Sequence, residues 1–234
     1  MTDLTNELVY ANLKIKYKIQ GEFVMNLILM KILLALGILG HALNMYCDRI
    51  LSVFPNGTLK LEDMNTIGEE GKMAKVMEGV SAKVPMRSAI LGAFALFFQF
   101  LGYFSITAYL YSHSHIFGSV AFAAITFFIT IGTAHHVKFA LAEYVFVKLG
   151  RDEKAKSLMI DLYTSSPVTR LCYIGYIIFI VTLIVSIVTG VAAFPVWAVI
   201  FTILPVFILL FPFRIIGTLH ISAMVSMAAW IFLI

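Results

Sequence analysis

Six long apolar runs, separated by polar connections, organise the chain: residues 25–46, 88–111, 116–137, 171–193, 195–213 and 215–234. A bilayer core of about 30 Å needs about 20 residues at 1.5 Å each, so each run is long enough, or nearly so, to cross it as a helix. The pattern predicts an all-α, polytopic transmembrane helix bundle of about six spans. Only Pro212-Phe213-Arg214 separates the last two runs, so residues 195–234 read either as two helices joined by a tight turn or as one kinked helix. Pro205 and Pro212, with Gly190 and Pro195 before them, predict that the fifth run is broken into short pieces.

Between the first two runs the alternation changes. Phe54-Pro55-Asn56-Gly57 reads as a turn, because proline presets φ and Asn-Gly tolerates positive φ. Residues 69–81 then place Met73, Val76, Met77 and Val80 at helical spacing, with Lys72, Lys75 and Glu78 elsewhere around the axis. This is a short amphipathic helix in the first loop, expected either on the membrane face or packed on the other long loop. Residues 1–24 form a polar tail, and Met25 followed by an apolar run reads as a possible native start, leaving 25–234 as one domain.

Composition reinforces the membrane reading: 61% of residues are hydrophobic and only 13% charged, with a mean hydropathy of +0.94. Soluble domains sit near about 45–50% apolar and about 25% charged. The lipid bilayer is therefore the expected partner. The net charge of +4 lies in the connections and forms no basic, aromatic-interleaved face for nucleic acid. Arg49, Lys60, Lys72, Lys75, Lys83 and Arg87 fall in loop 47–87; Lys138, Lys148, Arg151, Lys154, Lys156 and Arg170 fall in 138–170. Residues 112–115 and Phe194 carry no Lys or Arg. The positive-inside rule makes the two long loops cytoplasmic and both termini external. Cys47 and Cys172 then lie at cytoplasmic helix ends as thiols.

On that topology several polar side chains reach one depth. His41, Asn44 and Asp48 are spaced i, i+3, i+7 and share a helix face with Gly37. His135 and His136 end the third run about 100° apart, so at most one joins a given site; His136 shares a face with Glu143. Arg214 starts the sixth run and His220 lies deeper in it. The candidate ligand- or ion-binding set is therefore His41, Asn44, Asp48, His136, Arg214 and His220.

Three functions use such a set. Buried His and Asp in membrane helices line ion or proton paths, which points to binding or transport of a small molecule or ion. His41, Asp48, His136 and His220 also offer imidazole and carboxylate ligands for zinc or iron, whose bound water would serve a metal-dependent intramembrane hydrolase acting on a lipid ester or amide. The third function is structural, with Asn44, Gln99, Thr133, Ser222 and Ser226 hydrogen-bonding between helices. HExxH, GxSxG, P-loop and GxGxxG signatures are absent. His113 and His115 sit in an outer Ser-His-Ser-His turn and read as solvated.

Overall fold

The computed structural model describes residues 25–59, 72–165 and 167–234. The polar tail 1–24 and the start of the 69–81 helix lie outside them. The described residues are all-α apart from one small hairpin, and their elements follow in chain order. Helix α1 is Leu27–Ser52, hairpin strands β1 and β2 are Val53–Phe54 and Gly57–Thr58, and α2 is Lys72–Val76. Helices α3, α4, α5 and α6 are Lys83–His113, His115–Lys148, Glu153–Thr164 and Val168–Val188. A 3-10 turn Val196–Phe201, helix α7 Ile203–Leu210, a second 3-10 turn Phe211–Phe213 and helix α8 Thr218–Leu233 complete the chain. Leu27–Ser52, Lys83–His113, His115–Lys148 and Glu153–Val188 are long and apolar enough to cross a membrane, as expected of an integral membrane protein.

Close helix approach sets the bundle. An added Cβ at Gly40 would lie 2.6 Å from the Ala95 carbonyl, and one at Gly102 would lie 2.7 Å from the Gly37 Cα. The α1 and α3 backbones therefore touch, and polar bonds run between them: Ser105 Oγ to Met30 O at 3.1 Å, Gln99 Nε2 to Gly40 O at 3.4 Å and Ser88 Oγ to Cys47 O at 3.2 Å. This ladder makes the two helices antiparallel. Ser114 ends α3 and caps α4, its Oγ accepting from Phe117 N, which reverses the chain within one residue. Gly175 brings α6 against the Ala124 carbonyl of α4.

With 34 residues, α4 is about 51 Å long, well beyond the bilayer core. Its C-terminal part carries a second apolar core, where Ala142, Phe146 and Val147 meet Met73, Met77 and Val80 of the first loop and Ala155, Met159 and Tyr163 of α5. We call this the cap end. The amphipathic face of the first loop is thus turned to protein, and the helix ends at Val76, before the 81 that the spacing predicts, with Gly79 at φ +75° in the turn that follows. Arg151 locks the cap: its Nε donates to Met77 O at 3.1 Å and its Nη2 to Val80 O, while its own backbone is left-handed at φ 64°. Arg151→Ala is expected to destabilise the protein by about 1–2 kcal/mol, read by thermal melting, because two carbonyls lose a charged donor.

The fifth apolar run is broken into short pieces, as its prolines require. It is no continuous helix: Thr202 is extended at ψ 164°, and α7 has only eight residues, about 12 Å. Pro195 caps the first 3-10 turn, Pro205 lies in the first turn of α7 and Pro212 sits in the closing 3-10 turn, each placed where its missing N–H does least harm. Before this stretch, Phe194 stacks on Tyr109 at 5.0 Å and meets Trp230 edge-on, at the end away from the cap. After it, Gly217 lies against Met45 at the cap end.

Candidate functional site

The site grows from one stripe of α1. His41, Asn44 and Asp48 face the start of α8, where His220 enters within a turn of Thr218. His41 Nδ1 lies 3.0 Å from His220 Nδ1, and His220 Nε2 donates to Asp48 Oδ2 at 3.0 Å. The Asn44 side-chain amide lies 3.4 Å from the same His220 nitrogen, whose N–H its oxygen faces. From α4, His136 Nδ1 reaches Asp48 Oδ1 at 3.5 Å. The result is an ordered chain, His41–His220–Asp48–His136, drawn from three helices.

Donor and acceptor roles follow from the partners. A carboxylate only accepts, so His220 presents Nε2–H to Asp48 and its Nδ1 lone pair accepts from His41 Nδ1–H. His136 faces an acceptor at each ring nitrogen, since Nε2 lies 3.2 Å from Ser88 O and 3.3 Å from Ser88 Oγ, whose own proton points to Cys47 O. All these bonds are made together when His136 carries a proton on both nitrogens. Accessibility is highest at Asp48 and falls away on both sides: its side chain is 36% exposed, that of His220 14% and that of His136 7%, and His41 is 2% exposed.

Gly92 makes room for this. It lies one turn after Ser88 on α3, and a Cβ there would overlap the His136 Nε2 and Cδ2 atoms. Beyond His41 the polar layer continues as a stacked edge. The Tyr103 ring meets the imidazole at 5.5 Å, and the Tyr103 hydroxyl lies 2.8 Å from that of Tyr176 on α6.

Five of the six candidate residues are therefore brought together. Arg214 is the correction: it is exposed, left-handed at φ 49°, and closes a turn through its N–H to Phe211 O, because α8 begins only at Thr218. His135 turns away from its neighbour, its Nδ1 lying 2.9 Å from Thr169 Oγ1. Glu143 belongs to the cap, where Oε1 accepts from Tyr163 at 3.3 Å. Thr133 and Ser222 bond to carbonyls of their own helices and not between helices. His113 and His115 are exposed beside the rings of Tyr109 and Tyr111.

For zinc or iron the relevant ligands are His41, Asp48, His136 and His220. Their ring nitrogens and carboxylate oxygens are turned toward one another in pairs. Among the described residues no group of three or more His, Cys, Asp or Glu is arranged to hold a metal ion. Sequence reasoning missed Ser88, Gly92, Tyr103 and Tyr176, residue types common in any membrane helix. Only the spacing of Ser88 and Gly92, one turn apart, hinted at a shared face.

No curated protein and no solved structure matches the chain. Residues 24–234 match the model of a family of unknown function (DUF6796), and the chain belongs to that family.

Proposed function

We propose that this is a six-pass membrane protein whose partly buried His/Asp chain holds and passes protons, coupling them to movement of a small ion or molecule. The observation that carries the reading is the unbroken order His41, His220, Asp48, His136, each within hydrogen-bond or ion-pair distance of the next. Imidazoles and a carboxylate in series can each take a proton on one side and release one on the other. Ionisable groups are expensive in a bilayer without such a use.

Topology supports it. The chain lies beside Tyr109 at Phe194 and beside Met45 at Gly217, so residues 195–217 run from one end of the bundle to the other, which supports reading them as a broken fifth pass. Interrupted passes with irregular backbone line substrate routes in transporters. With the basic loops cytoplasmic and both termini external, Asp48 opens toward the cytoplasm and His41 is the deep end of the chain.

A metal-dependent hydrolase would draw on the same residues, but their pairwise orientation favours the relay. Proton movement into reconstituted vesicles, followed with an entrapped pH-sensitive dye, tests the reading. Wild-type protein collapses an imposed pH gradient and Asp48→Asn does not; equal rates in both, at equal folded yield, would leave helix packing as the role of the cluster.

A further inference from the structure

Building on the relay reading, we infer that the deep end of the chain is a binding site for an ammonium-class monovalent cation, held between α1 and α3. His41 Nε2 and Gln99 Oε1 are buried and have no hydrogen-bond partner. Their residues are 2% and 0% exposed. A buried acceptor left alone is destabilising, so two at one level call for an occupant.

They do share a level. Gln99 is pinned to the turn of α1 that holds His41 by its Nε2 bond to Gly40 O at 3.4 Å. That bond also orients the Gln99 amide: Nε2 must be the donor facing the carbonyl, so Oε1 is the free acceptor. With His41 Nδ1–H donating to His220, His41 Nε2 presents a lone pair. Tyr103, one turn after Gln99, sets its ring against His41.

The chemistry of the set selects the ligand. It offers the His41 nitrogen lone pair and the Gln99 amide oxygen, and among the described residues no charged donor faces it. Ammonium supplies four N–H donors and one positive charge, and it tolerates mixed nitrogen and oxygen acceptors beside an aromatic ring. Alkali ions prefer an all-oxygen shell. The titratable neighbours of His41 are His220 on α8 and Tyr103 on α3, with Asp48 beyond His220. A proton on His41 Nε2 removes the lone pair that receives the cation. Proton and cation therefore exclude one another at His41, which is the coupling an exchanger needs.

The test is thermal melting of the purified full chain in detergent at fixed pH and ionic strength. Ammonium chloride is compared with sodium, potassium and tetramethylammonium chlorides, the last a cation without N–H donors. Ammonium alone is expected to give a saturable rise of about 2–4 °C, absent in Gln99→Met. No shift, an equal shift with sodium, potassium or tetramethylammonium, or an ammonium shift that persists in Gln99→Met would overturn the site. Should Gln99→Met not fold, the wild-type cation series decides alone. Melting is read without a gradient, so this result stands apart from the proton-flux assay: flux lost in Asp48→Asn with no ammonium shift refutes the cation site and keeps the relay.

Discussion

Proton flux through reconstituted Asp48→Asn protein is expected to fall by about 100-fold or more, the scale on which loss of one acid–base group is felt. Among the described residues Asp48 alone links two imidazoles from different helices, bound to His220 Nε2 on one oxygen and facing His136 Nδ1 on the other. An amide of the same shape can accept from one imidazole but turns N–H donors toward the other, and it cannot hold a transferable proton. The side chain is 36% exposed, so lost charge pairing is screened and the fold should survive at a cost of about 1 kcal/mol. His135→Ala supplies the comparison, since that ring contacts Thr169 and stands outside the chain of proton carriers. Flux must persist there. A parallel fall in both variants would point to bundle damage in place of a broken relay.

Gly92→Ala is expected to abolish flux without removing any polar group. The new methyl would occupy the volume of the His136 imidazole, so the ring must leave Ser88 O and with it Asp48. Overpacking of this kind costs about 1–3 kcal/mol, visible as a lower melting temperature. Gly132→Ala on the facing helix is the matched control. Its Cβ would meet only Phe128 at 3.9 Å and Leu96 at 4.0 Å, ordinary contact distances. If Gly92→Ala keeps full flux, the His136–Asp48 contact is dispensable and the relay ends at Asp48.

The two variants also separate what is local from what is not. The i, i+3, i+7 spacing of His41, Asn44 and Asp48 is a property of one helix, and α1 presents them on one face as that spacing requires. The choice between His135 and His136 is not local. It depends on the roll of α4, which is set where Gly118 meets Tyr111 and Gly175 meets Ala124. Arg214 was misplaced for a related reason: hydropathy runs on through residues 211–217, whereas left-handed Arg214 and Gly217 delay the last helix to Thr218.

By itself, the sequence determined the solvent and the parts. Run length and apolar content require membrane-length helices, the Asn-Gly turn requires a reversal, and the Met73, Met77 and Val80 stripe requires an apolar partner. These are consequences of neighbours within a turn or two of chain. Only the tertiary structure decided that the stripe packs on α4 and α5, that the fifth run breaks at Thr202, and that His220 lands between His41 and Asp48. The physical reason is that hydropathy reports depth but not rotation about a helix axis. Rotation is set by glycines such as Gly37, Gly40 and Gly102, where one backbone rests against another that is distant in sequence.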